Sequence, residues 1–376
     1  MLTAAGVAPA AASRITVDDV KAADNDQVPI SLDVDGEIKE NVPADWYDRI
    51  VHTRDVTDKI QKNHGHRKAV IGIGYSAGER GGDNPHIVVG INQDSNSKQK
   101  DKKEIPDERG GVRVKKQEHE IPTADNCPDT DEYSNLCDNY DCDPFTKGSD
   151  IPAGPIIDFP SKGWLSHTSQ TLWSDDVLHI GWLTSAHSVP DCANNNQSVH
   201  HQPTEDGGPG YKIGEIVGFH PDYDVAAVEA TGGYNWDTNP SPYVHESSNL
   251  QSGNVYGPIE YTLSKDGVDQ WEAEDRKVFR YGGGTCYDYG EISANYQNAT
   301  ITGLSCSETI KEVIRIRGNS TDNGDSGGLH WGYYEPNDAY LGIGVHSAGD
   351  DGLFTDVAVA SAGYRINNDL GYFWSQ

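Results

Sequence analysis

The chain has 376 residues, 35% of them hydrophobic, and no apolar run nears the ~20 residues of a membrane-spanning helix, so a soluble protein of two or three folded units is expected. Its formal net charge is -30, with 18 basic and 21 acidic side chains in residues 1–120 and 11 basic and 38 acidic in the remainder. That acidic later portion repels phosphate backbones and anionic membranes; it suits a folded protein in high salt, where screening relieves self-repulsion, or an ordinary acidic exported protein.

Residues 1–40 read as a polar, flexible leader, and the opening MLTAAGVAPAAAS is either the tail of a secretion signal without its basic region or a plain disordered start. From Pro43 the spacing of Trp46, Ile50, Thr53, Thr57 and Ile60 predicts a helix ending near Gly65. Strands are expected at 68–76, 86–92 and 111–120, with the Lys/Asp/Ser-rich stretch 94–104 as an exposed loop, making a small α/β unit over 41–120. An acidic linker, 121–150, holds Cys127, Cys137 and Cys142 among many carboxylates; it is read as a solvated stretch pinned by a disulfide, with a structural calcium or other cation as the alternative. Six cysteines permit three disulfides in an oxidising compartment, and neither C-x-x-C spacing nor clustered histidines suggest zinc, so no metal or cofactor is required.

Beyond residue 150 short β-rich runs alternate with Gly, Pro, Asn and Asp clusters, among them 177–185, 215–219, 224–230, 277–282, 299–304, 312–318, 329–334 and 340–347. This pattern predicts an all-β sandwich or a pair of barrels, with a helix at most near the C-terminus.

Acyl transfer by serine needs a hydroxyl, a base to take its proton and donors for the oxyanion. GNSTDNGDSGGLHW (318–331) supplies Ser326 at the apex of a glycine turn, with the amides of Gly324 and Ser326 as the oxyanion hole. WLTSAHSVPDC (182–192) places His187 after an apolar strand, and HPDYDVAAVEA (220–230) places Asp224 at the head of another, with Asp222 the nearest competitor. The G-D-S-G-G also fits the elbow of α/β-hydrolases, but that fold needs a helix, an acid and a histidine after the serine, and a strand-like LHWGYY follows instead.

These three segments, in the order His, Asp, Ser, resemble the chymotrypsin family, and in texture its secreted bacterial and archaeal branch of streptogrisin, α-lytic and glutamyl endopeptidases. The resemblance implies an all-β double antiparallel barrel, 151–258 and 259–376, preceded by the small α/β domain. It implies a secreted serine endopeptidase with a polypeptide substrate and no nucleic-acid or membrane partner. The alternative is a catalytically silent protease-like binding module. In the segment GIGVHSAGDDGLFTDV (342–357), Ser347, Ala348 and Gly349 are implied to pair with substrate backbone as an added strand. His346 is implied to meet an acidic P1 side chain, as in glutamate-specific members, or else to be a packed histidine without a substrate role; Asp322 keeps a basic P1 open. Cys286 and Cys306 are implied to bridge a glycine-rich hairpin, with Cys192 left for a linker cysteine. Arg280, Arg315 and Arg317 are candidates for the internal cation facing Asp325, and the α/β unit is read as a pro-region or accessory domain acting in cis as inhibitor or folding aid. Sequons stand at Asn196, Asn298 and Asn319, the last close to the nucleophile loop.

Overall fold

The computed structural model describes residues 27–78, 84–123, 156–159, 163–166, 168–173, 178–192, 197–201, 212–230, 243–245, 255–282, 286–304, 306–307, 309–319, 321, 325–350 and 357–374. The cysteine-rich acidic stretch with its cation alternative therefore lies outside them, as do Gly324, Asp322 and Asn196. Among the described residues no group of His, Cys, Asp and Glu could hold a metal ion, and no helix is long and apolar enough to cross a membrane.

The N-terminal part contains β1 (Gln27–Ser31), β2 (Lys39–Pro43), α1 (Ala44–His64), β3 (Val70–Ser76), β4 (His86–Asn92), α2 (Lys98–Glu104), β5 (Glu108–Arg109) and β6 (Val112–His119). The expected helix and three strands are present, and the five side chains that set the helical spacing are all buried. Two expectations need correction. Residues 27–40 are not a flexible leader: β1 and β2 pair antiparallel, with Val28, Ile30 and Leu32 fully buried. Nor is 94–104 wholly a loop, because α2 forms where Asp101 turns inward, accepts the Ala69 N–H at 3.1 Å and holds the Ser97 hydroxyl at 2.7 Å.

A first sheet follows, built from β7 (Ile156–Phe159), β8 (Gly163–Ser166), β9 (Thr168–Trp173), β10 (Leu178–Thr184), β11 (Ser198–His201), β12 (Lys212–His220) and β13 (Val225–Ala230). The remaining elements are β14 (Tyr243–His245), β15 (Val255–Thr262), α3 (Lys265–Ala273), β16 (Lys277–Gly282), β17 (Cys286–Thr300), β18 (Thr309–Arg317), β19 (Leu329–Tyr334), β20 (Ala339–Asp350), β21 (Val357–Ala362), α4 (Gly363–Leu370) and β22 (Tyr372–Phe373). In the first sheet the order is β22-β9-β10-β13-β12-β11-β7-β8. In the second, antiparallel pairings run β16 to β17, β18, β21, β20, β19 and back to β16, a circuit of six strands. A cluster containing Leu183, Val225 and Ala227 of one sheet and Leu329, Trp331 and Val345 of the other joins them, with Trp374 wedged between.

β1 and β2 pair as a two-stranded sheet, whereas β3, β4 and β6 continue the second sheet through β17. The far half of β17 would be an open edge, a row of unpaired backbone groups, and β3 pairs with it from Asn295 opposite Tyr75 to Ala299 opposite Gly72. A Cβ on Gly74 would lie 2.3 Å from the Asn295 carbonyl oxygen, so glycine is what lets the two backbones approach. Beneath this seam β1, β2 and α1 share one core with α3 and the circuit, through residues such as Ile30, Trp46, Trp271, Ile314 and Ile343.

The helix α3 was not expected from sequence. Ser264 caps it by accepting the Gly267 N–H at 2.9 Å, and its inner face meets the N-terminal part in a buried polar cluster. Arg54 of α1 binds Asp266 at 2.6 Å and Asp269, while its Nε reaches the Tyr75 hydroxyl at 3.2 Å. Glu272 accepts the Ala77 N–H at 3.0 Å, and burial pushes its carboxyl up to about 8.

That shift has a measurable consequence. Between about 4.5 and about 8 the folded chain keeps a proton that the unfolded chain has lost, so this group removes stability as pH rises through that window and adds no further slope above it. Denaturant titrations should show Glu272→Gln losing less stability than the parent between about pH 5 and about pH 8, by on the order of a few kcal/mol. Equal slopes in the two proteins would refute the assignment.

Candidate active site

β10 and β13 are antiparallel neighbours with Thr184 opposite Ala226, so the residues just after β10 and just before β13 emerge at the same end of the ladder. His187 is one of the former and Asp224 one of the latter. Asp224 closes the turn Pro221–Tyr223 in the left-handed region at φ 49°, which acidic and amide side chains enter more readily than branched ones. Its carboxylate accepts the His187 backbone N–H at 2.8 Å on Oδ1 and meets His187 Nδ1 at 2.8 Å on Oδ2. An ionised carboxylate only accepts, so Nδ1 carries the hydrogen and Nε2 presents its lone pair. Nε2 lies 2.8 Å from Ser326 Oγ, and all three side chains are buried. The expected trio thus converges from both sheets as a His–Asp–Ser triad of the serine-protease kind. The competitor Asp222 is exposed and paired with Lys311.

The serine is aimed by its own loop. Gly327 has φ +86°, the Gly328 N–H donates to the Asp325 carbonyl at 2.9 Å, and the Gly327 N–H donates to the His346 carbonyl at 2.9 Å. The His346 N–H in turn donates to the Gly328 carbonyl at 2.8 Å. β20, which carries His346, Ser347, Ala348 and Gly349, is therefore locked beside the nucleophile. Ser347 turns its hydroxyl inward to Ser361 at 3.1 Å, and Ala348 packs in a separate apolar cluster.

Of the three arginine candidates, Arg280 faces the residue before the nucleophile: Nη1 lies 2.6 Å from Asp325 Oδ2, with both side chains fully buried. Arg315 instead reaches Gln117, and Arg317 forms exposed pairs with Asp275 and Glu291. Asn319 accepts the Arg280 Nε hydrogen at 2.9 Å and is itself buried, a structural use for a side chain that reads in sequence as a glycosylation acceptor. His330, which the sequence reading did not single out, lies with Nε2 3.1 Å from His346 Nδ1. Burial first, then the Arg280 charge, holds His346 well below the usual histidine range; burial, then His346, does the same to His330. The one signal was its place in the strand LHWGYY, four residues past the serine.

The expected Cys286–Cys306 bridge is replaced by Cys192–Cys306, with Cα atoms 5.3 Å apart. Cys286 opens β17 and Cys306 lies beyond its other end, and a strand of 15 residues at ~3.3 Å per residue holds such ends far apart.

The sequence matches no protein-family model and no curated protein. Among solved structures, a Nocardiopsis protease is similar at 18% identity over 61% of this chain and 100% of its own, with a TM-score of 0.42. A chymotrypsin from Cellulomonas bogoriensis is similar at 18% identity over 60% of this chain and 97% of its own, with a TM-score of 0.41.

Replacing Arg280 by Met keeps the length of the side chain but strands a buried carboxylate. Unfolding experiments should register a loss of ~3–5 kcal/mol, whereas joint replacement of Arg280 and Asp325 by neutral side chains should recover part of it. Were the single variant as stable as the parent, the pair would not be holding the loop.

Proposed function

We propose that this protein is a serine endopeptidase that hydrolyses polypeptides through an acyl-enzyme, and the observation that carries the reading is the His187 imidazole bonded on one nitrogen to Asp224 and on the other to Ser326. Ser326 Oγ attacks the scissile carbonyl as His187 Nε2 takes its proton; Asp224 steadies the imidazolium without being protonated; His187 then protonates the leaving amine. Amides of Gly324 and Ser326 receive the oxyanion in this proposal, consistent with a nucleophile set in a glycine turn.

The substrate enters as an extended strand against Ser347–Gly349, and the proposed P1 preference is acidic. What supports the latter is His346: its backbone is tied to both residues that follow the nucleophile, and its ring is oriented by His330. The enzyme is further proposed to be exported, its one described disulfide and its carboxylate-rich surface both suiting an oxidising, salt-rich medium. Each sheet is proposed to close as one barrel of a pair, and the N-terminal part to support that architecture in cis.

Ser326→Ala should end labelling by a fluorophosphonate probe and reduce peptide hydrolysis by about six orders of magnitude. His187→Ala should cost about as much, and the double variant no more than either alone, since the residues act as a unit. Losses that multiply in the double variant, or labelling that persists without Ser326, would defeat the reading. Cleavage profiling on a peptide library should return Glu or Asp at P1; a preference for Leu, Phe or Arg would remove His346 from the specificity pocket.

A further inference from the structure

The turn that presents Asp224 belongs to the first sheet, yet the second part of the chain fastens it. Asp222 pairs with Lys311 of β18, whose ammonium stands 5.7 Å from the centre of the Tyr223 ring. The Tyr223 hydroxyl donates to Asp369 of α4 at 2.5 Å. These contacts lie at the surface, where water competes and salt screens, so they guide the turn without fixing it.

A further contact is of another kind. Ser361 of β21 is fully buried, and its hydroxyl donates to the Tyr223 carbonyl. A carbonyl only accepts, so the single Ser361 hydrogen is committed there, and the Ser347 hydroxyl, 3.1 Å from Ser361 Oγ, is the donor of that pair. A bulge brings Ser347 to this position: His346 stands opposite Ala360 and Ala348 opposite Val359, which leaves Ser347 as the extra residue between them. Hydrogen bonds thus run in one direction from β20 through β21 to the Asp224 turn.

The Tyr223 carbonyl shares a peptide plane with the Asp224 N–H. That plane is held at both ends, its oxygen by Ser361 and its N–H by the Pro221 carbonyl at 3.1 Å. Asp224 pays for its place with φ at 49°, in the left-handed region. Turning the plane by roughly half a revolution would return Asp224 to ordinary extended backbone, and the same rotation would break both bonds. The Ser361 hydroxyl is the part of the second sheet that opposes this relaxation.

We infer that Ser361 is a positioning residue for the proposed hydrolysis: by pinning the peptide between Tyr223 and Asp224 it keeps the carboxylate on the His187 ring and N–H. The inference rests on the endopeptidase reading and extends it beyond the triad. Ser361 acts through Asp224 and touches neither the substrate nor the reacting atoms. Its partner Ser347 lies in the strand proposed above to receive substrate, so one buried hydroxyl ties that strand to the alignment of the triad. Without it the Asp224 plane is free to turn, the hydrogen on His187 Nδ1 loses its acceptor, and Nε2 no longer faces Ser326 with a lone pair in every molecule.

The test is steady-state peptide hydrolysis by the full chain, paired with proton NMR of the hydrogen between His187 Nδ1 and Asp224. Ser361→Ala should lower kcat ~10-fold or more and leave KM within ~2-fold, because alignment is lost and substrate binding is not. The downfield resonance of the bonded hydrogen should move upfield or vanish at temperatures where the variant is fully folded. Ser361→Cys, which fills the space with a weak donor, should behave like the Ala variant, and Ser361→Thr, which keeps the hydroxyl, should recover kcat to within ~3-fold. Ala and Cys variants with parental kcat and resonance overturn the inference and leave the endopeptidase reading standing. So does a folded Thr variant that stays at the Ala level, or an Ala variant that differs from the parent only in melting temperature. A parent chain that neither hydrolyses peptides nor labels with a fluorophosphonate overturns both.

Discussion

The Asp224 carboxylate is the constraint on which the chemistry and the architecture both turn. It is buried, and it accepts two hydrogen bonds from one residue, the ring and the backbone N–H of His187. Such a doubly bonded carboxylate cannot tolerate drift between β10 and β13, so the ladder that carries Leu183 opposite Ala227 has to be rigid. Rigidity there comes from the apolar cluster between the sheets, which the C-terminal segment completes. β22 pairs with β9 in the first sheet while Trp374 packs against Gly342 and Gly363 of the second part, so the last turn of the chain clasps both halves around the triad.

On the serine side, buried charge takes over the same duty. Arg280 and Asp325 fix the turn from within, and the reciprocal backbone bonds between His346 and the two glycines fix it from the side. An ion pair without water is a poor source of net stability but a stringent demand for one geometry, because breaking it leaves an unpaired charge. The N-terminal part meets the second sheet by a comparable device. Arg54, Asp266, Asp269 and Tyr75 form a buried polar cluster at the junction of α1, α3 and β3, so the junction has a defined register as well as apolar area.

How much of this was legible in the sequence depended on whether the information was local. His187, Asp224 and Ser326 each sit in a short segment whose apolar and glycine pattern alone defines a strand end or a tight turn, and the structure brings all three together. The helix of residues 44–64 was legible for the same reason, its buried face being periodic. What failed was non-local. The hairpin of residues 27–43 looks polar until its alternate residues meet the core under α3. α3 itself is nine residues long with a glycine inside, and tertiary contacts to Trp271 and Val268 override its weak propensity. The disulfide was misassigned because hairpin proximity is a guess about spacing, whereas β17 is one continuous strand that separates its ends. That the α/β part borrows an edge of β17 had no signal except Gly72 and Gly74, which in sequence are only interruptions of an apolar run.

Cys192–Cys306 gives these non-local links their order. Cys192 follows the histidine segment of the first sheet; Cys306 closes the loop of the second part that begins at Thr302, and its sulfur lies 3.8 Å from the carbonyl oxygen of Ala186, next to the catalytic histidine. The bond spans 114 residues of sequence, a separation at which chain-entropy arguments assign about 4–5 kcal/mol to a cross-link. Its position matters more than that magnitude. The loop it anchors is the one whose Thr302 holds Pro122, so a single covalent tie sets the histidine segment, the Thr302 loop and the seat of Pro122 in one frame. Reduction would free the Thr302 loop from the histidine segment while leaving the Arg280–Asp325 pair intact, which separates the two supports of the site: charge orders the nucleophile, and the disulfide orders the loop beside the histidine.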